Sequence, residues 1–175
     1  MRAVNLGPRT VAILVAFALG ASASCGYGRE PAAPEQRPAS GASAPPGAPE
    51  FGSGTVLIDV GSEAVLVEVE VAHTPEQRAF GLMRRTSLPA DSGMVFLFFE
   101  AQRGSFHMRD TLIPLSIAFF DQKGRILRIL DMEPCRREPC KSYDPDLAFW
   151  GALEVNQGAF DRWGVEEGDV VRLTQ

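Results

Sequence analysis

Alternation of apolar and polar positions is the clearest signal in the chain. Val65, Val67, Val69 and Val71 alternate with Leu66, Glu68, Glu70 and Ala72, the period of two that turns one face of a strand toward a core. Ahead of it Thr55 to Val60 is a short apolar strand candidate and Gly61-Ser62 a turn, so the two segments predict a hairpin. Thr74, Pro75 and Glu76-Gln77 then supply an N-cap, a proline at the first helical position and an acid and an amide in the first turn, which predicts a short helix. Phe80, Met83 and Arg84 fall on or near one face of it. Gly81 costs about 1 kcal/mol relative to alanine inside a helix, which implies close packing or a helix end.

Farther on, Gly93 to Phe99 is a continuous apolar run of strand length, the pattern of a strand buried on both faces. Leu115 to Phe120 predicts another strand, and Asp121 to Gly124 turns the chain into Arg125 to Leu130. The period of that last segment fits helix or strand, and the preceding hairpin turn decides for strand. Leu147 to Val155 is a strand candidate, Gln157 to Trp163 one or two helical turns, and Val170 to Leu173 a last strand after the turn at Glu166 to Asp169. The expected class is mainly β, a β-rich α+β domain: about seven or eight short strands and two short helices, closed as a compact antiparallel barrel or sandwich.

Composition separates this domain, residues 54–175, from what precedes it. Residues 1–24 carry Arg2 and Arg9, the apolar run Val11 to Leu19 and small residues Gly20 to Ser24, the layout of an export signal. That run is shorter than the roughly 20 apolar residues a bilayer span needs. Cys25 follows in Ser22-Ala23-Ser24-Cys25, a placement that resembles a bacterial lipobox with Ser22 in place of the usual leucine. The resemblance implies a lipid anchor at Cys25, and Gly26 after it favours the outer membrane; plain secretion is the alternative. From Gly26 to Ser53 the chain holds six of its 13 prolines and almost no large apolar residue, so residues 25–53 are expected to be a disordered tether.

Charge and cysteines narrow the partners and the compartment. Net charge is −5 for the whole chain, and residues 54–175 carry 13 basic and 19 acidic groups, a balance of −6. The basic residues form no run, so nucleic acid is not an expected partner. With Cys25 assigned to a lipid, Cys135 and Cys140 remain as a pair in an oxidising compartment. A bridge there closes a loop of about six residues worth roughly 2 kcal/mol. Redox exchange and metal binding are the alternatives, but the spacing is not Cys-x-x-Cys and no histidine is near in sequence.

The blocks TPEQRAFGLMRR (74–85), GMVFLFF (93–99), FHMRDTLIPLSIAFFD (106–121), PCRREPCKSYD (134–144) and LEVNQGAFDRWGVEEGDVVRL (153–173) together resemble the bacterial and archaeal family called domain of unknown function 192. The resemblance implies a compact, largely β fold with a helix, often exported, and no established activity. One block departs from the family pattern. His107, Arg109 and Asp110 stand where the family usually has Trp, Lys and Asn, and Ser116 where it favours Asp.

That block also carries the candidate chemistry. If residues 105–111 continue as a strand, His107, Arg109 and Thr111 share a face and Met108 and Asp110 the other. Arg109 then offers a fork for a carboxylate or other anion, with His107 and Thr111 as orienting hydrogen bonders. The alternative is a polar strand edge in which Asp110 caps a turn and Arg109 pairs with an acid. Asp110 serves in either role, and Arg85, Glu154 and Asn156, which lie in the matched blocks, complete the candidate set.

The sequence contains no Gly-x-Ser-x-Gly elbow, His-Glu-x-x-His, phosphate loop or dinucleotide fingerprint; no cofactor and no catalytic residue is assigned. Glu154 with Asp110 is a conceivable carboxylate pair for a hydrolase acting on a glycan or ester. His107 with Met83, Met94, Met108 and Met132 is a conceivable copper set, although methionines beside Phe and Leu are more often core. Trp150, Trp163, Phe149 and Phe160 offer a sugar-stacking platform or, more commonly, core. The expectation is a membrane-tethered, extracytoplasmic and non-catalytic binding module for a small anionic or carbohydrate ligand or an envelope partner.

Overall fold

A computed structural model describes residues 44–174; the expected export signal, Cys25 and the expected tether up to residue 43 lie outside the described residues. Strand β1 (Gly52–Val60) pairs antiparallel with β2 (Glu63–Ala72), Val56 opposite Val67, as the hairpin pattern predicts. Helix α1 (Pro75–Phe80) follows, fixed by a capping box: the Gln77 N–H donates to the Thr74 hydroxyl and the Thr74 N–H to the Gln77 side chain. The Gln77 amide also donates to the Glu50 carbonyl at 2.6 Å, so the fold takes hold ahead of Gly54.

Strand β3 (Ser92–Gln102) then runs parallel to β2, with Val71 opposite Val95. Parallel neighbours cannot be joined by a tight hairpin and need a crossover; α1 and residues 81–91 are that crossover. After it come β4 (Phe106–His107), β5 (Leu115–Phe120), β6 (Ile126–Met132), β7 (Ser142–Tyr143), β8 (Phe149–Asn156), α2 (Ala159–Trp163) and β9 (Val170–Thr174). Seven strands form one sheet in the order β6-β5-β8-β3-β2-β1-β9, and β4 pairs with β7 apart from it.

The mainly β, α+β class stands, with nine strands and two short helices among the described residues. Two details differ from expectation. The β2–β3 pair is parallel, and the barrel is not closed. Edge strands β6 and β9 approach at the single bridge Arg125–Val170, supported by Ile126 N–H to Asp169 O and Gly168 N–H to Ile126 O, both 2.8 Å. Beyond it the Ile129 N–H donates to the Glu167 carboxylate instead of to a β9 carbonyl, and no ladder continues. Among the described residues no helix is long and apolar enough to cross a membrane.

Strand parity divides the core in two. Val56, Val67, Val95, Ala118, Leu153 and Val171 belong to an inner cluster fed by the sheet and by Phe160 of α2. On the opposite face Phe96, Ile117, Phe119 and Ala152 form an outer cluster, joined by Leu82 of the crossover and Met108 of the β4–β5 connection. Every residue of β5 is buried because both clusters claim it. Phe149 and Phe160, two of the aromatic platform candidates, are core residues at 2 % and 1 % exposure.

Candidate functional site

The outer face is covered incompletely, and the gap is a cleft of about 310 Å³. Helix α1 and the crossover supply Arg78, Phe80 and Gly81, β3 supplies Phe96 and Phe98, and β4 supplies Phe106 and His107. Gly81 ends α1 at φ 51, where its missing side chain leaves only contact distance to the Phe96 ring. The aromatic walls are locked edge to face: Phe96–Phe106 centroids lie 5.1 Å apart, Phe98–Phe149 5.7 Å and Phe119–Phe149 4.9 Å.

Glu154 lines the floor. It lies in β8 opposite Met94 of β3 and Ile117 of β5, both fully buried, and is itself 6 % exposed. Close approach of β3 and β8 holds it there, because a Cβ at Gly93 would collide with the Glu154 carbonyl oxygen. Loss of water pushes its carboxyl up to about 8, so at neutral pH it is mainly the protonated acid, able both to donate and to accept. Among the described residues its carboxyl has no hydrogen-bond partner. Thr111, also buried, lines the same cleft.

The lip is cationic. The Arg78 guanidinium sits 4.8 Å from the Phe98 ring centroid, and its Nη1 donates to the His73 and Leu97 carbonyls at 2.6 and 3.1 Å. Arg103, exposed in the turn between β3 and β4, has no ion-pair or hydrogen-bond partner among the described residues.

His107, Thr111 and Glu154 of the sequence candidates therefore converge, while four others do not line the cleft. Strand β4 stops at His107, and the Thr111 N–H returns to the Met108 carbonyl at 3.3 Å, so residues 108–111 make a turn. Arg109 does not share a strand face with His107; it pairs with Glu138 at 2.9 Å, and that hydrogen bond holds the Glu138 carboxyl below its usual range. Asp110 adopts φ 54, and its carbonyl accepts the Arg84 N–H at 2.7 Å. Arg85 is buried against Glu70 at 2.5 Å. The Asn156 amide ties down the crossover through Leu88 O and Pro89 O at 3.1 and 2.9 Å.

Cys135 and Cys140 form the expected disulfide, Cα atoms 5.3 Å apart. Its loop joins the turn through the Cys135 N–H to the Met108 carbonyl at 3.3 Å. Met94, Met108 and Met132 are core residues, and Met83 lines the cleft with His107. Sequence reading overlooked Arg78 and Arg103. Arg78 lies in one of the quoted family blocks; Arg103 sits in a turn with no local signature.

The model of DUF192, uncharacterized ACR, matches residues 56–173. The chain belongs to this family. Among solved structures, a candidate transcription regulator from Sinorhizobium meliloti 1021 is similar, with TM-score 0.65 and 30 % identity over 70 % of this chain and 95 % of that one. A protein of unknown function from Novosphingobium aromaticivorans DSM 12444 is similar, with TM-score 0.63 and 30 % identity over 77 % of this chain and 94 % of that one. No curated protein matches the chain. In this DUF192 member the four departures from the family pattern scatter. His107 is at the lip, Arg109 and Asp110 are outside the cleft, and Ser116 faces inward, donating to Asp131 at 2.5 Å and accepting from the Gly158 N–H at 2.9 Å.

Proposed function

We propose that this DUF192 chain is an exported, membrane-tethered and non-catalytic binding module whose cleft takes a small anionic or carbohydrate ligand. Glu154 carries the reading: an acid buried at the floor of a Phe-walled cleft with no hydrogen-bond partner among the described residues. That carboxyl offers a hydrogen-bonding position that a ligand's polar group can fill. Export is supported by the leader and by the disulfide, and the anchor by the lipobox-like placement of Cys25. The regulator description of the Sinorhizobium meliloti relative finds no support in a domain with a balance of −6 and no basic run.

A protonated, desolvated carboxyl in a cleft is also what a general acid requires, which favours hydrolysis of a glycan or ester as the second reading. A glycosidase of the usual kind needs a second carboxyl about 5–9.5 Å away. Glu154 is the one carboxyl among the described residues lining the cleft, which tilts the balance to binding. The test is a thermal-shift screen of the full chain against sugars, organic acids and metals, repeated with Glu154→Met. A ligand that raises the midpoint of the wild type and not of the variant supports the cleft. Equal shifts in both proteins move the site elsewhere, and turnover of an ester or glycoside substrate abolished by Glu154→Gln transfers the reading to hydrolysis.

A further inference from the structure

The cleft has a polarity along its depth that selects between the two ligand classes. Exposure falls from Ala79, Arg103, Ser105 and His107 at the lip to Phe96, Phe149, Thr111 and Glu154 inside. Fixed positive charge lies at the outer end, hydrogen-bonding capacity without charge at the inner end, and phenylalanine rings between them. Carbohydrate needs hydrogen-bonding partners for its many hydroxyls, but the five rings of this wall, Phe80, Phe96, Phe98, Phe106 and Phe149, offer only stacking faces and carry no hydroxyl or ring N–H.

We infer that the occupant is an amphipathic monoanion whose charged head lies at the lip against Arg103 and Arg78, whose apolar body lies along the phenylalanine wall, and whose far-end oxygen meets Glu154 and Thr111. The inference rests on the cleft being a ligand site. Arg103 suits the head because no carboxylate among the described residues engages it. Arg78 suits it because its Nη1 is held by two carbonyls and its plane by Phe98, leaving Nη2 and Nε as positioned donors. Orientation follows from electrostatics: a head pushed to the floor would lose water and meet no cation, since Arg85 is paired with Glu70 and does not line the cleft. A far-end hydroxyl or carbonyl fits the floor because an undissociated carboxyl donates and accepts there at once. A purely hydrocarbon tail would leave the Glu154 carboxyl unpaired.

The probes are 4-hydroxybenzoate and 8-hydroxyoctanoate, compared with their methyl esters, with benzoate and octanoate, and with glucose and N-acetylglucosamine. Binding to the full chain in detergent is read by calorimetry and by chemical shifts of cleft residues. A hydroxy acid should bind about tenfold tighter than its ester and than the acid lacking the far oxygen, the worth of one charge-assisted or buried hydrogen bond. Arg103→Ala, at an exposed turn, should remove the preference over the ester, and Glu154→Met the preference over the unsubstituted acid, while Glu154→Gln keeps both. If esters equal acids, or a sugar is preferred, the amphiphile is wrong and the cleft reading stands. If no probe of any class moves a cleft resonance, both fail.

Discussion

Leu153 and Glu154 are neighbours in β8, and they face opposite ways into two differently built interiors. Leu153 enters the inner cluster, where side chains from all seven strands of the large sheet meet and, among the described residues, no charged residue is buried. Glu154 enters the outer layer, which also holds Gln77, Arg85 and Thr111, so four of the five buried polar side chains among the described residues lie on that side. The inner face is closed by the sheet's own curvature, which brings β6 and β9 into contact. Connections close the outer face, and irregular segments bring polar backbone and side chains that must be satisfied. One sheet thus stabilises the fold on one face and holds a candidate site on the other.

Truncating the inner face should have the largest effect. Leu153→Ala removes a fully buried side chain, and a loss of about 2–5 kcal/mol is expected by chemical denaturation. Binding per folded molecule should stay unchanged. A variant that loses binding in proportion beyond its unfolded fraction would mean that the faces are coupled and the division fails.

Glu154 should respond to pH rather than to volume. Its folded-state pKa of about 8 stands above the ordinary 4.5, so between those values the folded protein holds a proton that the unfolded chain has released. Stability from this group is therefore complete below pH 4.5 and lost as pH rises toward 8, by an amount of order a few kcal/mol. Glu154→Gln cannot ionise, and denaturation at pH 5, 6.5 and 8 should give a flatter profile than wild type. Parallel profiles would show that Glu154 is solvated in the cleft, and the contrast between the two faces would shrink to one of shape.

How much of this was legible follows the same division. The inner face writes itself into the sequence as the alternation of Val65 to Val71, and Leu115 to Phe120, buried on both faces, is found where its apolar run predicts. The capping residues of α1 are equally local. Strands β4 and β7, two residues each, exist because distant segments pair, as does the parallel alignment of β2 with β3, and no local pattern encodes either. Glu154 was visible as an acid flanked by Leu153 and Val155, a costly residue for a strand interior. Its burial could not be read, because that depends on how the crossover roofs the outer face. Extending strand alternation past His107 misplaced Arg109, since the turn at Met108–Thr111 depends on contacts with Arg84 and Cys135.

The smallest effect separates Arg103, which lines the lip, from Arg109, which does not line the cleft. Arg109 and Glu138 are both more than half exposed as side chains, at 57 % and 60 %, and ion pairs in that setting are weakened by solvent and salt. Arg109→Ala should therefore leave the denaturation midpoint within error and hydroxy acid affinity unchanged. Arg103→Ala should leave the midpoint equally untouched, because Arg103 has no partner to lose among the described residues, but it should abolish the preference for acid over ester. An Arg109→Ala protein that loses the same preference would extend the anion site over the Met108–Thr111 turn. The outer face would then hold its ligand with the disulfide-linked loop as well as with the crossover, because Glu138, the partner of Arg109, lies inside that loop.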